Sequence, residues 1–164
     1  MYHQRVYGVV YGILHHVEDS QEVSQQVWVK VWKKLDAFKS ESGFFTWLYR
    51  IASNASLDFI RRRARIKESL LEDGVEAFAD AQPERPASVV SRPDREMERE
   101  EVREVFAKAV QELTPEHRAA ITLREVEGLS YEEIAKALGC RKGTVMSRIF
   151  YARRQLQERL KDLL

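Results

Sequence analysis

Cysteine, proline and glycine are all scarce in this chain: one Cys, four Pro and seven Gly among 164 residues. A single thiol closes no internal disulfide and builds no cysteine-rich zinc site, so a reducing cytoplasm is the expected compartment. So few turn residues argue against a many-stranded β-sandwich. No apolar run approaches the ~20 residues that a membrane helix needs, and no charged-then-apolar leader opens the sequence, so no membrane insertion is expected. GxSxG, HExxH, P-loop and Rossmann glycine patterns are missing, and no spacing of carboxylates nominates an acid–base pair. Neither catalytic residues nor a cofactor are expected. His15 and His16 are adjacent, point in different directions on a helix, and make a poor metal pair, so no metal is expected either. Cys140 has no resolving partner that would support a redox role.

What is present is a packed core and a segregated charge. Hydrophobic residues make up 44% of the chain, enough for one ordinary domain or two very small ones. The formal net charge is only +1, yet the signs are not mixed. Residues 61–67 (RRRARIK) carry five basic groups and no acidic one. Residues 68–93 sum to −4 (two basic, six acidic), 94–112 to −3 (four, seven) and 113–138 to −2 (three, five). Residues 139–164 return to +5 (seven basic, two acidic). Two basic patches separated by acidic chain suggest two contacts with one polyanion.

Helical periodicity organises the first sixty residues. A short amphipathic helix is expected from about Tyr2 to Leu14. From Asp19, Val23, Val27, Val31 and Leu35 recur every fourth residue, and Asp19 with Glu22 has the spacing of a capping box. The opposite face of that helix, Glu22, Gln25, Gln26, Val29 and Lys33, suits either a docked protein or solvent. After the polar break 39–43 a further helix begins near Phe44. Phe44, Leu48, Ile51, Ala55 and Phe59 form its core face, while Trp47, Arg50, Asn54, Asp58, Arg61 and Arg65 cluster beside it. An indole, an amide and guanidinium groups on one face suit a nucleic-acid strand, through stacking, base-edge hydrogen bonds and phosphate neutralisation. Trp47 fits a core role equally well.

Between Glu68 and Pro93 the period dissolves and three of the four prolines gather, which reads as a linker. A charged helix follows from Asp94 to about Leu113, with Met97, Val102, Val105, Phe106 and Ala109 as its apolar stripe. Thr114-Pro115-Glu116 supplies a cap, a first-turn proline and an acid for the next helix. Ser130 and Glu133 repeat the capping-box spacing, Gly139 ends that helix, and a last helix starts by Lys142–Thr144. This is the spacing of a helix-turn-helix, with Val145, Ile149, Ala152 and Leu156 as the buried stripe of the second helix. Its other face offers Lys142, Met146, Ser147, Arg148, Phe150, Tyr151 and Arg154. Hydroxyl and guanidinium groups suit base edges in a major groove, and basic flanks suit phosphates. The expected fold is all-α: two small helical domains, 1–67 and 94–164, joined by a flexible linker at 68–93, the C-terminal domain a helix-turn-helix.

With these motifs in view, the chain resembles the extracytoplasmic-function sigma factors of bacterial RNA polymerase over nearly its whole length. FFTWLYRIASNASLDFIRRR resembles their helix that melts and reads the minus-ten element. LSYEEIA followed by GTVMSRIFYAR is similar to their domain that reads the minus-thirty-five element. The resemblance implies core polymerase (β′ clamp helices and β flap) and promoter DNA as partners, with control by an anti-sigma factor. It places Trp47, Arg50, Asn54, Arg61 and Arg65 at the minus-ten DNA. Lys142, Met146, Ser147, Arg148, Phe150, Tyr151 and Arg154 fall at the minus-thirty-five DNA, and Glu22, Gln25, Gln26, Val29 and Lys33 at the clamp. Met146 and Tyr151 stand where relatives often have arginine, and Glu22 and Gln26 where they have Asp and Glu. The family usually carries some twenty further residues before a segment like Tyr2–Gly8. A helix-turn-helix regulator acting without the polymerase explains 114–164 equally well but leaves the Trp47–Arg65 face unexplained. A nucleic-acid-modifying enzyme would need a catalytic spacing that is absent.

Overall fold

A computed structural model describes residues 2–38, 43–72 and 93–161, and every regular element among them is helical. Three helices build the N-terminal unit: α1 (Tyr2–Leu14), α2 (Val17–Lys34) and α3 (Phe44–Glu72). Their apolar stripes meet as the periodicity predicts, except that Leu35 falls past the end of α2 and is 46% exposed. Val6, Val9, Val10 and Ile13 of α1, Val23, Val27 and Val31 of α2, and Leu48, Ile51 and Ala55 of α3 are buried. A short 3-10 turn, Leu35–Ala37, follows α2.

Helix α2 starts two residues before the expected Asp19. His16 is its N-cap, its Nδ1 accepting from the Asp19 backbone N–H, and Ser20 Oγ donates to the His16 carbonyl at 2.5 Å. Asp19 is engaged elsewhere: its carboxylate takes Arg63 of α3 at 2.5 Å. His15, at φ +52, makes the left-handed corner between α1 and α2, a conformation His tolerates better than most residues. Helix α3 runs to Glu72, past the expected boundary at Lys67, because Ile66, Lys67, Glu68, Ser69 and Leu70 hold no glycine or proline to stop it. The polar break at 39–42 and most of the linker, 73–92, lie outside the described residues.

The C-terminal unit consists of α4 (Pro93–Gln111), α5 (Pro115–Glu125), α6 (Tyr131–Leu138) and α7 (Lys142–Leu160). Thr114 caps α5, and Ser130 with Glu133 closes a reciprocal capping box at α6. Gly139 sits at φ 62, ψ 37, the left-handed residue that lets the chain turn sharply into α7. Val145, Ile149 and Ala152 are buried and Leu156 packs beside them. The stripe expected on α4 is only partly used. Ala109 and Val110 are buried, but Val102 and Phe106 stand about half exposed, and the Met97 side chain lies outside the described residues.

The two units pack against each other and share one core, α1 on α5 and α3 on α6. Small residues permit the approach. Gly12 of α1 lies against Thr122 of α5, whose Oγ1 donates to the Gly12 carbonyl at 3.3 Å. Ala52, Ser53 and Ser56 keep α3 slim enough to take α1, α2 and α6 around it. Tyr49 OH donates to Glu127, and Arg61 meets Glu116 at 3.5 Å. Burial, then the nearby Arg118 of α5, lowers His15 to about 4, which keeps the imidazole neutral in this seam.

Candidate nucleic-acid interface

From Phe44 to Ile60 helix α3 is buried or half-buried except at Arg50, Asn54 and Asp58, and from Arg61 to Leu70 it is exposed all round. Arg50, Asn54, Asp58, Arg61 and Arg65 lie on one strip and are exposed. Arg61 is shared between Asp58 and Glu116, each at 3.5 Å, and Arg65 Nε donates to the Arg61 carbonyl at 3.4 Å. Trp47 is half-buried at the top of the strip, its ring 5.1 Å from Phe38 and 5.8 Å from Phe44. That aromatic cluster holds the indole at the edge of the core, partly buried and partly open to solvent.

Helix α7 exposes a second strip. Met146, Phe150 and Tyr151 are 50%, 61% and 54% exposed, large apolar groups standing in water on a helix whose other side is anchored. Phe150 and Tyr151 pack edge to face at 5.4 Å. Ser147 Oγ donates to the Thr144 carbonyl. The cations around this strip rest on acidic partners: Lys142 on Glu132, Arg153 on Glu125, and Arg154 on Glu158 at 3.0 Å. All are exposed pairs, individually weak and free to exchange for phosphates. Arg148 is half-buried and turns towards Cys140, Nη1 3.8 Å from Sγ.

The third exposed face is on α2. Glu22, Gln25, Val29 and Lys33 are exposed and Gln26 is half-buried, its Nε2 donating to Glu22 Oε1 at 2.9 Å. Beside them stands a large aromatic residue that belongs to neither the valine stripe nor the five-residue face opposite it. Trp32 is 81% exposed, three residues from Val29, itself 54% exposed, and Leu35 follows at 46%. The spacing of Val29 and Trp32 at i, i+3 was the available signal. Among the described residues none of the C-terminal helices packs substantially on α2. Among the described residues no group of three or more His, Cys, Asp and Glu could hold a metal, and no helix is long and apolar enough to cross a membrane.

The sigma-70 region 2 model matches residues 1–66, and the sigma-70 region 4 model matches 103–156. The ECF RNA polymerase sigma-E factor of Escherichia coli (strain K12) is 39% identical over 132 residues, 80% of this chain and 69% of that protein. This chain belongs to the sigma-70 family, in its extracytoplasmic-function branch. The sigma-E factor of Haemophilus influenzae is 36% identical over 134 residues, again 80% of this sigma factor and 69% of the relative. Among solved structures, the sigma factor RpoE in complex with the anti-sigma factor NepR, from Bartonella quintana, superimposes with a TM-score of 0.75 at 30% identity. It covers 97% of this chain and 91% of that one. CnrH in complex with the cytosolic domain of CnrY aligns with a TM-score of 0.61 at 23% identity, over 96% of this chain and 80% of that one, and shares the fold. The sigma factor directs transcription, and the strips on α3 and α7 lie within the segments matched to regions 2 and 4 respectively.

Proposed function

We propose that this sigma factor docks core RNA polymerase through α2 and reads a promoter at two places, the minus-ten element through α3 and the minus-thirty-five element through α7. In this reading 1–67 and 94–164 act as two DNA-reading domains, with the intervening segment as their tether. Glu22, Gln25, Gln26, Val29 and Lys33, extended by Trp32, face the β′ clamp helices. Trp47, Arg50, Asn54, Arg61 and Arg65 hold unpaired minus-ten bases and their phosphates. Lys142, Met146, Ser147, Arg148, Phe150, Tyr151 and Arg154 enter the upstream major groove. The C-terminal domain also sits on the β flap. The protein performs no catalysis of its own and works in the cytoplasm.

The observation that carries this reading is the simultaneous exposure of three faces bearing large apolar or mixed basic side chains on α2, α3 and α7, each helix anchored by a buried stripe. Such groups gain nothing from solvent and suit partners. RpoE of Bartonella quintana is held by an anti-sigma factor in a form this chain superimposes on, which supports an anti-sigma partner for the packed arrangement here. Docking on the polymerase then separates the two domains, since their reading strips serve two different promoter elements.

Each strip alone neutralises few phosphates, so the free chain should bind promoter DNA weakly and with steep salt dependence. Fluorescence anisotropy with labelled promoter duplex, with and without core polymerase, tests this. Tight, sequence-specific binding that needs core supports the reading. Tight specific binding by the free chain would replace it with a core-independent regulator.

A further inference from the structure

Part of the recognition strip of α7 is apolar: Met146 and Phe150 stand 50% and 61% exposed among its cations. Met146 and Phe150 line an open groove with Tyr131 of α6, floored by Ile149 and rimmed by Arg153 and Arg154. Arg153 is drawn to Glu125 at 3.1 and 2.5 Å, Arg154 to Glu158 at 3.0 Å, and Arg148 towards Cys140. The rim is thus suited to phosphates on either side of a duplex groove, while Met146 and Phe150 offer methyl-sized apolar contact beside the polar ends of Tyr131 and Gln157. In the major groove one base presents an apolar group, the C5-methyl of thymine.

We propose that Met146 and Phe150 are specificity-determining residues that read thymine through its C5-methyl group in the upstream promoter element. The inference rests on the assignment of α7 to duplex DNA and adds which base chemistry it selects. Cytosine lacks the methyl, and guanine and adenine present polar edges to which Met146 and Phe150 offer no hydrogen bond.

Deoxyuridine tests it without altering the protein, because it pairs as thymidine does and lacks only the methyl. The upstream element is first selected from randomised duplexes by the full chain reconstituted with core polymerase. Each thymine is then replaced singly by deoxyuridine and holoenzyme binding is measured. One buried methyl contributes about 0.8 kcal/mol, so loss at one or two positions should be about four-fold. The penalty should vanish in Met146→Ala or Phe150→Ala, both exposed positions whose truncation leaves the fold intact, as thermal melting would verify. A selected element in which no thymine responds, or in which the penalty persists unchanged in both variants, overturns the proposal while the sigma assignment stands. Failure of the holoenzyme to select any element overturns the assignment of α7 and the proposal with it.

Discussion

Replacing Gly12 by alanine should open the seam between the two units while strengthening the helix that carries the change. A Cβ at Gly12 would lie 2.5 Å from Thr122 Cγ2 and 2.8 Å from Thr122 Oγ1. Ordinary contact begins at 3.4 Å, so the first pair is 0.9 Å too close and α1 and α5 must part or Thr122 must turn. Turning Thr122 loses its hydrogen bond to the Gly12 carbonyl, and parting the helices loses packing along the seam. Overpacking of this kind costs about 1–3 kcal/mol. Within α1 the same substitution gains about 0.5–1 kcal/mol, since alanine has less backbone entropy to lose than glycine. The two effects act on different equilibria, which separates them. Spin labels at Cys140 and at an introduced Lys30→Cys, an exposed site on α2, report the inter-unit distance. The parent chain should give one short, narrow distribution and Gly12→Ala a broader, longer one. Adding Thr122→Ala removes both atoms that clash below 3.0 Å and should restore the short distance. A Gly12→Ala chain that keeps the short distribution and simply melts higher would refute the packing argument.

Four further outcomes follow from the same geometry. Asn54→Ala, on the exposed strip of α3, should weaken open-complex formation by about 1–3 kcal/mol in a permanganate footprint and leave the melting temperature unchanged; lowered stability with normal promoter opening would make Asn54 structural. Trp32→Ala should weaken core-polymerase binding at least ten-fold in a titration without affecting folding, because its ring is 81% exposed and an aromatic anchor carries much of an interface. His15 stands at about 4 against an ordinary 6.5, lowered by burial and then by Arg118, so protonation favours the opened or unfolded chain. Its contribution is whole above pH 6.5 and is lost as pH falls towards 4, about 2 kcal/mol by pH 5; His15→Asn, which tolerates the left-handed corner, should melt with a flatter pH profile between 7 and 5. Gly139→Ala should cost about 1–2 kcal/mol in a denaturant titration, because φ 62 crowds any Cβ, and an unchanged midpoint would show that the turn relaxes freely.

Helix faces buried through large aliphatic side chains were legible in the sequence, and faces buried through small residues were not. The valine stripe of α2 and the Ser130–Gly139–Val145 succession each name their partners through local spacing, and those segments fold accordingly. Ser53 and Ser56 of α3 belong to no apolar stripe yet are fully buried, since their small size admits a close approach that a hydrophobicity pattern does not register. Gly12 likewise looks like a weak point in a short helix until Thr122, 110 residues later, is placed against it. The start of α2 was misplaced because Asp19 has two competing uses, a cap and an ion pair with Arg63 across the unit, and only the fold decides between them. Of the candidate site, the strips on α3 and α7 were visible as clusters of residue types. Trp32 was not, because an aromatic beside an apolar stripe is indistinguishable from core until its surroundings are known.

Run-off transcription with purified core polymerase tests the central claim most directly. Core alone should give no discrete product from a template carrying a promoter selected by the holoenzyme. Core with the full chain should give one defined transcript, reduced when Asn54, Trp32 or Phe150 is replaced by alanine. No promoter-dependent transcript, together with tight specific binding of the free chain to the same duplex, would contradict the account and leave a regulator that works without the polymerase.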